Sequence, residues 1–137
     1  MWWIYAILSA VFAAITAIFV KIGVSKMDAD LGTAIRTVVI LIVTWGIVFA
    51  KGAFKTIDSL SYQNWLFLIL SGVATGLSWL FYFRAIQLGQ VSQVAPIDKL
   101  SIVLVLIFSV IFLGETFTPQ IGIGASLIVL GVIVIIF

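Results

Sequence analysis

Five apolar runs follow one another along the chain with only short connections between them: Trp3–Val20, Gly32–Ala50, Trp65–Ile86, Val94–Leu113 and Gln120–Ile136. A bilayer's hydrocarbon core is about 30 Å thick and takes about 20 helical residues to cross, so each run has the length of a membrane span. Strands are excluded, because an open sheet would leave edge N–H and C=O groups without partners in lipid. The expected fold class is therefore all-α: a polytopic membrane protein with five transmembrane helices. Composition leaves little else. Of 137 residues, 64% are hydrophobic and 9% charged, whereas soluble domains carry about 25% charge. Nearly all of the mass lies in the spans, which implies one transmembrane domain over residues 1–137 in the multi-pass manner of a cytoplasmic-membrane protein. The N-terminal MWWIYAILSA is apolar from its second residue and has no charged leader region. It is expected to be a retained first span rather than a cleaved signal.

The chain has no Cys and no His, which removes disulfides, thiol nucleophiles, imidazole bases and most zinc sites. A Ser–His site cannot be built, and an intramembrane aspartyl dyad needs two carboxylates where the spans supply Asp98 alone. No enzyme activity, cofactor or metal is expected. The net charge of +2 comes without any basic cluster, so nucleic acid is not an expected partner.

The polar residues within the spans carry the functional reading. Ala6, Ala10, Ala13 and Ala17 form a small-residue stripe on the first span, which lets another helix approach closely. Arg36 lies about one turn into the second span, where it either snorkels to the interface or enters a polar cavity. Ser71, Thr75, Ser78 and Tyr82 recur at helical spacing on the third, with Gly72 and Gly76 beside them and Trp79 away from the usual interfacial belt. These hydroxyls suit a cavity wall, or bonds back to their own helix. Trp2, Trp3, Trp45 and Trp65 lie near span ends as interface anchors.

The fourth span holds the most costly residues. Pro96 sits near its start, either in the first turn or as a kink that frees a carbonyl. Asp98 follows at an expected depth of roughly 7 Å. Consecutive residues on a helix point about 100° apart, so Asp98 and Lys99 are not expected to neutralise one another. Ser101 shares the Asp98 face. On the fifth span, Gly124 and Gly131 lie two turns apart on one face and suit helix–helix contact, including contact between subunits. Gly89 is expected to cap the third helix. Thr118 is expected to cap the fifth, with Pro119 in its first turn.

Alternation of the spans places Lys51 and Lys55 on one side of the membrane and Lys21, Lys26 and Arg84 on the other, with Arg36 and Lys99 just inside the latter. The resulting bias weakly favours an outside N-terminus and is compatible with insertion in both orientations.

These residues together resemble a single EamA-type repeat of the drug/metabolite transporter superfamily, over nearly the whole chain. The resemblance rests on Lys21 and Gly23 at the end of the first span, Arg36, and YFRAIQLGQVSQVAP across the third and fourth spans. FLGE at Phe112–Glu115, followed by TPQIGIGASLIVLGV, is its most specific part. The Asp98-Lys99-Leu100-Ser101 segment is similar to the half-length, five-helix branch. Larger members have two inverted five-helix halves. The resemblance implies movement of a metabolite or drug across the cytoplasmic membrane, often export. It departs from the related small multidrug resistance proteins, whose membrane-embedded glutamate in the first helix is replaced here by Ala13 and Ala14, leaving Asp98 as the substitute carboxylate.

An inverted-repeat transporter needs two repeats, and five spans put the termini on opposite faces. The economical expectation is an antiparallel homodimer working by alternating access. Trp79, Tyr82, Thr75, Ser78, Arg36, Asp98, Lys99 and Ser101 are the expected substrate-binding residues, with Gly124 and Gly131 packing the dimer. The partners are a small-molecule substrate, a proton or other coupling ion, and the bilayer. A non-transporting membrane subunit, or a lipid-linked flippase component acting with another protein, is the alternative.

Overall fold

A computed structural model describes residues 1–137. Its helices are α1 (Trp2–Gly23), α2 (Ala29–Ala50), α3 (Tyr62–Leu88), α4 (Val91–Asp98), α5 (Ser101–Leu113) and α6 (Pro119–Ile136), with a 3-10 segment at Ala53–Ser59 between α2 and α3. α1, α2, α3 and α6 are each long and apolar enough to cross a membrane, as is the stretch Val91–Leu113 that contains α4 and α5. The five expected spans are thus present, and the fourth is interrupted. No more than 11% of any span is buried within the chain. That leaves its apolar surface to lipid or to other helices, where burial against water is not the stabilising force.

Several helix ends lie beyond the apolar runs because polar caps extend them. α2 begins three residues before Gly32, where the Asp28 carboxylate accepts from Leu31 N at 2.9 Å and Asp30 sits in the positive first turn. α3 begins at Tyr62 because Ser61 Oγ accepts from Asn64 N at 3.2 Å. The Thr118 hydroxyl accepts from Ile121 N at 3.4 Å, with Pro119 opening α6, as expected. Gly114 closes α5 at φ 67°, where a Cβ would crowd the carbonyl, so the glycine of FLGE is a backbone requirement.

The chain divides into two compact units. In the unit Ile18–Gln87, the end of α1, the start of α2 and the end of α3 pack together, burying Val20, Val24, Ala29, Thr33, Phe83 and Ile86. The α2 backbone approaches closely at Gly32, where an added Cβ would stand 2.8 Å from Val24 Cγ1 and 3.8 Å from Phe83. Polar ties run across this packing. Lys21 Nζ donates to the carbonyl of Ile86 at 2.7 Å and of Gln87 at 3.5 Å. Gln87 Nε2 returns to the α1–α2 turn, donating to Val24 O at 3.0 Å and Met27 O at 2.7 Å. Arg84 forms a two-pronged ion pair with Asp30 on the exposed surface. At the other end of α2, Trp45 meets Phe49 at 5.6 Å and Phe49 meets Phe54 of the following segment at 5.4 Å, an aromatic cluster of the kind that anchors a span at the headgroups.

The other unit contains Met1–Ala17 and Leu88–Phe137, with α6 lying along both α4 and α5. Pro96 is the sixth residue of α4, inside the helix rather than in its first turn. Lacking an N–H, it deprives the Ser92 carbonyl of its helical donor. Two residues later α4 ends. The Lys99 N–H is shared between Ala95 O at 3.3 Å and Pro96 O at 3.0 Å, the Leu100 N–H donates three residues back to Ile97 O at 2.9 Å, and after this tightened turn α5 starts at Ser101.

Candidate functional site

In the unit Ile18–Gln87, Trp79 and Phe83 lie one turn apart on α3 and face α2. The Arg36 guanidinium carbon stands 4.3 Å from the Trp79 ring centroid and 5.5 Å from that of Phe83. Phe83 is only 2% exposed and is held beside Gly32, so the aromatic support has little freedom to move. Tyr82, half-buried, lies within electrostatic reach of Arg36. Arg36 therefore points into an aromatic wall. Thr75 and Ser78 stand exposed on α3. The hydroxyls of α2 are committed to their own helix: Thr33 donates to Ala29 O at 2.9 Å, Thr37 to Thr33 O at 2.8 Å and Thr44 to Ile40 O at 2.8 Å.

Asp98, Lys99 and Ser101 belong to the other unit and flank the interruption of the fourth span. Asp98 is the eighth residue of that span, about 10 Å along the axis rather than the shallower depth expected. The expectation that Asp98 and Lys99 do not neutralise one another is corrected. Lys99 Nζ lies 3.2 Å from Asp98 Oδ2. The 100° rule describes the directions of Cβ atoms on a regular helix. Here the regular helix stops between the two residues, and the flexible lysine stem curls back. Both side chains remain partly open, 54% for Lys99 and 35% for Asp98, so the pair is only a weak tie. Ser101, the first residue of α5, is exposed.

On α6, Gly124 and Gly131 have nothing within 4 Å of where a Cβ would stand, unlike Gly122, which Phe117 approaches to 3.0 Å. Their face is open within this chain. Asp30, Phe83 and Gln87 are structural residues that the sequence reading passed over. Asp30 and Arg84 carried a usable signal, because alternation of the spans places these opposite charges on the same side of the membrane.

The EamA-like transporter family matches residues 1–137. A protein from Sinorhizobium sp., described as an uncharacterized transporter in the cobO 3' region, is 50% identical over 134 residues, which cover 98% of this chain and 95% of that protein. No solved structure matches the chain.

Proposed function

This chain belongs to the EamA-like transporter family, and from that membership we propose that it is a secondary transporter, exporting a small metabolite or drug by alternating access as an antiparallel homodimer. Family and relative alike point to a multi-pass transporter of the cell membrane rather than to an enzyme. The observation that carries the finer reading is the interruption of the fourth span. Broken helices with polar backbone and side chains at depth are how inverted-repeat transporters build solute and ion sites. Here Asp98 and Lys99 sit at the break, with Ser101 starting the next helix and the Ser92 carbonyl deprived of its usual donor. A pair this loosely held exchanges partners at little cost, so Asp98 can release Lys99 and take a proton, a coupling cation or an amine. Arg36, Trp79, Tyr82, Thr75 and Ser78 supply a second set of solute contacts.

Asp98→Asn is expected to slow transport about tenfold or more in reconstituted vesicles, the factor that about 1.4 kcal/mol of lost interaction gives, with the protein still folded. Unchanged flux would make Asp98 structural. The homodimer is supported by the open Gly124–Gly131 face and by the need of this transporter class for two repeats. Gly124 and Gly131 lie about equally far from the middle of α6, so in an antiparallel pair a cysteine at Gly124 of one copy is expected to cross-link to a cysteine at Gly131 of the other in membranes. A chain that stays monomeric in vesicles while transporting would overturn the dimer.

A further inference from the structure

We infer that Arg36, stacked on Trp79, is a binding site for an oxyanion, a carboxylate or phosphate borne by the transported solute or by a lipid headgroup. This deepens the transporter reading and rests on it for the solute.

Arg36 is the eighth residue of α2, about 10 Å from the helix start. A cation at such depth is costly unless something compensates it. Three other basic residues in or at the ends of the spans have partners. Lys21 donates to the Ile86 and Gln87 carbonyls, Arg84 holds Asp30, and Lys99 holds Asp98. Arg36 takes part in neither ion pair of the chain.

What it has instead is an aromatic face 4.3 Å away. The guanidinium carbon sits over this ring, and a guanidinium carries five N–H donors in a planar fork, none of which meets a carboxylate of this chain in an ion pair. An aromatic ring attracts the charge and accepts at most a weak N–H···π contact, which leaves most of the five donors unsatisfied. The guanidinium is also not sealed off, since no buried side-chain nitrogen or oxygen lacks a partner. The acidic residues near this end are engaged, Asp28 at the α2 N-terminus and Asp30 with Arg84. Asp58 lies beyond the opposite end of α2. A fixed, accessible fork with no acidic partner in its own unit matches the planar, two-oxygen geometry of a carboxylate or phosphate. Trp79 would hold the guanidinium in plane while the anion docks at its edge.

The test is thermal unfolding of purified wild type and Arg36→Gln in phosphatidylcholine nanodiscs, with benzoate, inorganic phosphate or neutral benzamide added, and in nanodiscs containing phosphatidylglycerol. A rise of several degrees with benzoate or phosphate, absent with benzamide and lost in Arg36→Gln, is expected if the oxyanion comes from a solute. The same Arg36-dependent rise only with phosphatidylglycerol assigns the site to lipid headgroups. Equal shifts in both proteins, an equal response to benzamide, or no shift in any arm overturns the site. If Arg36→Gln does not fold, Arg36→Lys carries the same comparison. It keeps the charge and loses the fork, and the shift should shrink. Binding is read here without transport, so the two readings fail separately. A protein that binds the anion but moves no solute sinks only the transporter proposal. One that transports at an unchanged rate in Arg36→Gln and shows no shift sinks only the anion site.

Discussion

Replacing Gly32 with leucine is expected to be the most damaging single change in the unit Ile18–Gln87. The first carbon added would already lie 2.8 Å from Val24 Cγ1. Val24 and Phe83 are each 2% exposed, and a β-branched valine has little rotamer freedom with which to give way. Overpacking of this kind costs about 1–3 kcal/mol and sometimes more. Alanine at the same position recovers up to about 1 kcal/mol of helix propensity, so its net effect should be mild. Leucine adds three further carbons where Phe83 already stands within 4 Å, so α2 and α3 must separate. The measurement is thermal unfolding in a mild detergent, with Gly46→Leu as the control on the same helix, where an added Cβ meets nothing within 4 Å. Equal stability of the two variants would show that the close approach at Gly32 does not hold the unit together. Displacement of Phe83 also undermines the support beneath Arg36, so the anion response should fail with the fold.

Lys21→Met carries the second large effect. The last carbonyls of any helix lack intrahelical donors, and the negative end of the helix dipole lies there. At the end of α3, the carbonyl of Ile86 receives the Lys21 amine at 2.7 Å, and Ile86 is 0% exposed. Methionine keeps most of the apolar stem and removes the donor. A buried acceptor left unpaired costs about 1–3 kcal/mol, and a clear fall in unfolding temperature is expected. Arginine at this position should restore part of the loss. Arg84→Ala is the informative contrast. It deletes an ion pair that looks stronger on paper, yet both partners are exposed, and exposed pairs contribute little. A larger loss from Arg84→Ala than from Lys21→Met would overturn this ordering.

The membrane architecture was legible because length and hydropathy together admit almost nothing except spans. The ends were less so. Asp28 and Ser61 each cap a helix that starts three residues before its apolar run, because a cap is a local hydrogen bond that hydropathy does not record. The interruption after Asp98 lies inside a continuous apolar run. Only Pro96 hinted at it, and the proline sits two residues before the place where the helix stops. Arg36 and Trp79 were each singled out, but their stacking joins residues on different helices, which periodicity within one helix cannot reveal. Phe83, which supports that stacking, reads as one more aromatic in an aromatic stretch. The Asp98–Lys99 pair escapes helical periodicity because the two residues straddle the turn at which α4 ends.

The link from Lys21 to the end of α3 also bears on how the chain is made. Lys21 emerges from the ribosome 65 residues before its acceptor Ile86, and Gln87 emerges last of all with the bonds that tie down the α1–α2 turn. Until then the first hairpin carries an amine that only water or headgroups can satisfy. The first hairpin therefore lacks this tie until the third span arrives. A nascent chain arrested before residue 86 should be extracted and degraded more readily than one arrested just beyond the third span.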